Sequence, residues 1–419
     1  MSETKHKGSS IRSMTQKYPP PIYSNLPGTW AYSTVSKRLP EIAARVIAEN
    51  DYPASLNENL SWLQDEIKSH PIRPLPDQNA PDQENWEQYI RPYLGQNWLD
   101  VPWFFAEHYF YRRIMAAVNY FQLGQDPFAY QKSAGLKKSK VEIQLLSDFL
   151  AERIGKQGIN SLETLREGLY FSLWGNQADL SLWPADGDSS PQYTSRETLQ
   201  DHLLASQMEQ LLEFVSGEGQ PLPRVDLMLD NAGFELISDL ALVDIFLSHG
   251  FAERVVLQAK AHPTFVSDVI PADIVGGIRF LIDQPEPAIN AFGQRLENHI
   301  NSGKLRTTSH FFWNSPLPMW ELSDDLRKEW KGTSLVISKG DANYRRLLGD
   351  RQWKMTLPFQ DVMDFLPVPL AALRTLKAEL AVGLDMAKIE EVKSQDPDWM
   401  VNGRWGVIHF TGGREAGGS

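Results

Sequence analysis

Residues 225–236 read VDLMLDNAGFEL, and this stretch decides the fold class. Val225 to Leu229 is a short apolar run, the pattern of a buried strand. Asp230 and Asn231 end it, Gly233 permits a tight turn, and Ile237 to Leu247 then shows helical spacing. Two further strand candidates follow, Arg254 to Ala259 and Leu335 to Ser338. Strands alternating with helical segments predict βαβ units and a parallel sheet. Open sheets of that kind bind ligands beyond the carboxyl ends of their strands, where Asp230 and Asn231 would stand.

Upstream of this stretch the pattern is mainly α. Helical spacing is expected from Thr29 to about Asn50, over Trp98 to Phe121, Leu145 to Ile154 and Leu162 to Leu173, and from Leu199 to about Val215. Trp183 to Thr194 reads as a surface loop. Downstream, a last helix is expected over Leu370 to about Val382. The expected organisation is a disordered start (1–20), a mainly helical part (21–220), an α/β core (221–411) and a flexible tail (412–419). The fold class is therefore α/β, with a Rossmann-like parallel-sheet core behind an α-helical N-terminal part.

Composition sets the outer limits. With 42% hydrophobic residues in 419 the chain can bury a large core. A formal net charge of -12 gives no support for nucleic-acid binding, which needs basic surface to neutralise phosphates. No Cys is present, which excludes disulfides, thiolate metal sites and cysteine-nucleophile chemistry. No apolar run approaches the length of a transmembrane helix, so a cytoplasmic protein without membrane contact is expected.

Four constellations carry chemistry. Asp230-Asn231 presents oxygen ligands at a strand end, although Asp and Asn also serve simply as helix caps. Asp268, in the segment after the next strand, would face them across a parallel sheet. Three oxygens, with water and substrate in the remaining positions, suit Mg²⁺ or Mn²⁺. Ser338 to Leu347 offers Asp341, Asn343 and Arg345 after a Gly turn: acceptors for hydroxyls and a guanidinium for phosphate. Arg374 and Lys377 would share a helix face and reach a phosphate; a solvated pair is the alternative. No GxxxxGK[ST], no GxGxxG after a strand and no HExxH occurs.

At these residues the sequence resembles the metal-dependent damage-control phosphatases, formerly grouped as domain of unknown function 89. The resemblance runs through Ala31-Tyr32, EHYFYRRI (107–114), DNAGFEL (230–236), Val266 to Asp268, HFFW (310–313), KGDANYRRLLGD (339–350) and RTLKAE (374–379). The RTxK element is that of a subgroup acting on sugar phosphates. The resemblance implies a divalent metal (Mn, Co, Ni or Mg) on Asp230, Asn231 and Asp268. It implies substrate contacts from Asp341, Ala342, Asn343, Tyr344, Arg345 and Lys377, to which Arg374, Glu107 and Arg113 are added as candidates. Glu107, Arg112 and Arg113 line the site or form an internal ion-pair network; the sequence leaves both open. The implied activity is hydrolysis of small phosphorylated metabolites such as fructose 1-phosphate or fructose 6-phosphate. A competing reading, also implied by a described relative, is S-adenosylmethionine-dependent methylation of protein glutamate. Neither the residues nor the resemblance fixes the oligomeric state.

Overall fold

The computed structural model describes residues 18–175 and 200–413. The expected disorder before Tyr18, the loop Trp183 to Thr194 and the tail beyond Gly413 lie outside the described residues.

Seven strands form one sheet: β1 (Leu203–Ser206), β2 (Val225–Met228), β3 (Val255–Lys260), β4 (Leu305–His310), β5 (Leu335–Lys339), β6 (Leu370–Thr375) and β7 (Gly406–Thr411). Their order is β1-β7-β6-β5-β2-β3-β4. Every pairing is parallel except β6 with β7. All residues of β2, β3, β5 and β6 are buried, because helices cover both faces. From β2 the chain builds β3 and β4 on one side, then returns to lay β5 and β6 on the other. The crevice at the end of β2 is thus the topological switch point of the sheet.

Helix Phe234–Ser248 leaves β2 and is apolar nearly all round. It is held between the sheet and helix Ser161–Trp174, so both of its faces need apolar residues. The N-terminal helices Leu39–Glu49, Ala54–Ser69 and Trp103–Ala117 share a separate apolar cluster. Helix Trp103–Ala117 buries every residue, its charged ones included. It is shorter than the expected Trp98 to Phe121 helix, since Pro102 starts it and Asn119 turns left-handed at φ 52° soon after it.

Two expected elements are corrected. Leu370–Thr375 is strand β6, not the start of a helix. Its residues are all buried, so no in-out alternation betrays the strand, and the Leu/Ala run mimics helical spacing. The expected helix from Leu199 contains β1 and then a shorter helix, Met208–Ser216. β1 precedes residue 221 yet belongs to the sheet, beside β7.

Candidate metal centre

Two chain segments meet at the end of β2. Val269 N–H donates to the Asp230 carbonyl at 2.8 Å, and Ala232 N–H donates to the Ser267 carbonyl at 2.7 Å. Asn231 and Asp268 form a short antiparallel bridge between them. The segment before Asp268 bends sharply: Phe265 and Val266 have φ of 46° and 69°, uncommon for side-chain-bearing residues and costly for a β-branched one. Phe265 packs on His108 and Tyr111 of helix Trp103–Ala117, which holds that bend in place. Asp230, Asn231 and Asp268 are thereby brought together, as the sequence led us to expect.

β5 completes the crevice. A Cβ at Gly340, where φ is +78°, would stand 1.9 Å from Asp230 Oδ2. Only glycine lets the Asp230 carboxylate lie against that turn.

The electrostatics fit a hard cation. Burial raises the Asp230 carboxyl well above its ordinary range, and the charges of Glu235 and Asp268 add to this. Asp268 is pushed up to about 6 by burial, with Lys260 opposing. Asp268 Oδ2 is buried, with the Lys260 ammonium a long 3.4 Å away. Asn231 Nδ2 donates to Asp230 Oδ2 at 2.7 Å and Glu235 Oε2 at 2.9 Å, so its Oδ1 faces the other way and accepts from Ser267 Oγ at 2.5 Å. That oxygen keeps a second lone pair. Crowded, desolvated carboxylates with a spare oxygen form a donor set for Mg²⁺ or Mn²⁺. The set is two carboxylates and a carboxamide; among the described residues no group of three or more His, Cys, Asp or Glu is arranged to hold a metal.

The other expected site residues divide into two groups. Lys377 is half-buried, and its charge acts on Asp230. Asp341 and Ala342 are also half-buried on the turn after β5. Asp341 Oδ1 already accepts from Arg374 Nε at 2.8 Å and from the Lys377 N–H at 3.1 Å, which aligns the RTLK segment on the crevice.

The remainder are tied into the protein. Arg345 is clamped by Asp350 at 2.8 and 3.1 Å and by Glu107 at 2.6 Å, over the Trp103 ring. Arg374 donates to the carbonyls of Leu380 and Ala378. Tyr344 lies in the core under the Arg374 guanidinium, its hydroxyl facing Val382 N–H. Asn343 donates to the Leu229 and Lys339 carbonyls, both at 2.9 Å. These four side chains are all bonded within the protein, in large part by partners distant in sequence. Arg113 pairs with Glu66 and Tyr109 and lines a different cavity, of about 650 Å³, with Trp62 and Arg73. Arg112 pairs with Asp77 and Asp82. Glu107, Arg112 and Arg113 are thus each ion-paired within the protein, in three separate sets.

Three charged residues were given no role by the sequence reading, although two of them, Glu235 and Lys339, stand within its motifs. Lys260, at the end of β3, has its ammonium 3.1 Å from Asn343 Oδ1 and 3.4 Å from Asp268 Oδ2. Lys339, at the end of β5, donates to the Ser172 carbonyl at 2.6 Å and pairs with Glu235 at 3.2 Å and Asp239 at 2.9 Å. Glu235 links that pair to Asn231. The signal available was position: both lysines end buried strands next to β2.

The pattern of the Damage-control phosphatase ARMT1-like domain matches residues 34–392. Among curated relatives, Damage-control phosphatase ARMT1 of Danio rerio is 33% identical, covering 94% of this chain and 97% of its own length. The Mus musculus protein of the same name is 33% identical over 92% of this chain and 97% of its own. The Homo sapiens protein is 32% identical, with the same coverage, 92% and 97%. A solved DUF89 family structure from Pyrococcus horikoshii superposes with a TM-score of 0.47 at 14% identity, covering 89% of this chain and 96% of that one. These relatives are phosphatases by name, and the methyl-transfer reading gains no support from them. Among the described residues no helix is long and apolar enough to cross a membrane.

Proposed function

The chain belongs to the damage-control phosphatase ARMT1-like family, and on that premise we propose that it is a metal-dependent phosphomonoester hydrolase of small phosphorylated metabolites, sugar phosphates such as fructose 1-phosphate or fructose 6-phosphate among them. The observation that carries this reading is the convergence of Asp230, Asn231 and Asp268 at the switch point of the sheet, with the Lys377 charge acting on it.

Asp230, Asn231 and Asp268 are the residues to hold Mn²⁺, Co²⁺, Ni²⁺ or Mg²⁺. When bound, such a cation supplies Lewis-acid compensation of phosphoryl charge. Lys377 holds a phosphate oxygen from the opposite lip. Asp341 keeps Lys377 in register through its backbone N–H and leaves its outer oxygen for a substrate hydroxyl. Arg345, Arg374, Tyr344, Glu107 and Arg113 act as supports for these elements and do not touch substrate. Ser172, Lys339 and Glu235 fix Asn231 from behind.

A panel of sugar phosphates and nucleotides, assayed for phosphate release with each of the four metals in turn, tests the proposal. Metal-dependent release from sugar phosphates supports it. Release that is unaffected by chelation, or no release from any compound with any metal, overturns it.

A further inference from the structure

Lys260 is 3% exposed and stands at the same strand-end level as the two carboxylates. Its surroundings are unusual for a buried ammonium. It donates to Asn343 Oδ1 at 3.1 Å and makes a longer ion-pair contact, 3.4 Å, with Asp268 Oδ2. An ammonium has three N–H donors. Among the described residues Asn343 and Asp268 are its side-chain partners, and no third acceptor stands against it.

Asn343 explains the aim of this side chain. Its Nδ2 is fixed on two backbone carbonyls, of Leu229 and Lys339. Its Oδ1 is left to face Lys260 alone. A carboxamide anchored to β2 and β5 therefore points an ammonium from β3 into the crevice. Burial pulls the Lys260 pKa down, and the neighbouring Arg346 charge pulls the same way, while Asp268 and Asp230 oppose both. A cation serving only to neutralise Asp268 would close further on it, as Lys339 does on Asp239 at 2.9 Å.

We propose that Lys260 is a catalytic residue whose spare N–H groups bind the phosphoryl oxygens of the substrate, with Asn343 as its positioning residue. This rests on the phosphatase reading above. During hydrolysis the ester P–O bond breaks and a P–O bond to water forms. The water's proton ends on the departing oxygen, giving an alcohol and inorganic phosphate. Lys260 stays an ammonium throughout and donates hydrogen bonds to the equatorial oxygens, which carry the charge of a loose transition state.

The test compares wild type with Lys260→Met in three measurements: phosphate release, binding of inorganic phosphate to the Mn²⁺-loaded protein by calorimetry, and binding of Mn²⁺ alone. The expected result is turnover lowered about 100-fold or more, in line with loss of one oxyanion donor. Phosphate affinity falls by about tenfold or more, the scale of one charge-assisted hydrogen bond. At about pH 8, where carboxylates are ionised, Mn²⁺ binds as tightly as in wild type or tighter, since a repelling charge has gone. Unchanged phosphate affinity overturns the proposal. So does a parallel loss of Mn²⁺ and phosphate binding, which marks a purely structural lysine. If wild type hydrolyses nothing, the phosphatase reading fails, and the phosphate arm still decides whether Lys260 is an anion ligand. If Lys260→Met fails to fold by circular dichroism, Lys260→Gln, which keeps a donor but no charge, takes its place with the same expected and overturning results.

Discussion

The strands on either side of β2 both end in a buried lysine, and the two are treated differently. Lys339 on β5 is saturated: a carbonyl and two carboxylates surround it. Burial disfavours its charge, but Asp239 and Glu235 outweigh burial and raise its pKa. Lys260 on β3 is equally enclosed but has one amide oxygen and one long carboxylate contact, and its pKa is lowered by burial. Burial and residue type do not distinguish a structural charge from a working one. The fraction of its donors already used does.

The largest expected effect lies on the saturated side. Lys339→Met leaves Glu235 and Asp239 as buried carboxylates without a cation, a loss of about 3–5 kcal/mol. Denaturant unfolding of the metal-loaded proteins should show this, with Lys260→Met losing distinctly less. Equal losses would erase the distinction between the two lysines.

Gly340 follows Lys339 directly and lies against Asp230. Gly340→Ala brings backbone strain of roughly 1–3 kcal/mol and a Cβ that Asp230 must move away from. Mn²⁺ affinity should fall while the far-ultraviolet circular dichroism stays that of wild type; retained affinity would show that Asp230 has room to spare.

A smaller effect is one of pH. Asp268 is pushed up to about 6 in the metal-free protein, so protons compete for it as pH falls through 6 and Mn²⁺ affinity should weaken there. Above 6 the carboxylate is ionised and available. Lys260 opposes the upward shift, so Lys260→Met should move the onset of weakening to higher pH. Calorimetric Mn²⁺ titrations between about pH 5 and 8 check this; an unmoved onset would mean Lys260 does not act on Asp268. The smallest effect is at Tyr344, whose hydroxyl accepts a long bond, 3.4 Å, from the Val382 N–H and lies near Arg374. Tyr344→Phe should cost no more than about 1 kcal/mol of stability and leave KM unchanged, whereas a raised KM would restore it as a substrate contact.

The parts legible in the sequence were those written locally. An apolar run, two oxygen-bearing residues, a glycine and a helical pattern sit within residues 225–247, and they gave both the strand–turn–helix unit and the Asp230-Asn231 pair. β6 was hidden because a fully buried strand has no alternation. The Arg345–Glu107 pair was not legible because the two lie 238 residues apart. Lys260 was overlooked for the same reason: Asn343, which aims it, is 83 residues distant, and no motif surrounds it in the chain. Local chemistry is readable from one segment, while saturation of a charge depends on segments that only folding brings together.

The most direct test of the metal centre is Mn²⁺ binding and phosphate release measured on wild type and Asp230→Ala together. The account predicts that wild type binds Mn²⁺, loses activity on chelation and regains it on adding the metal back, while Asp230→Ala loses Mn²⁺ affinity and turnover by roughly a thousandfold, the scale of several kcal/mol of charge stabilisation. An Asp230→Ala protein that binds Mn²⁺ and releases phosphate as wild type does would contradict it.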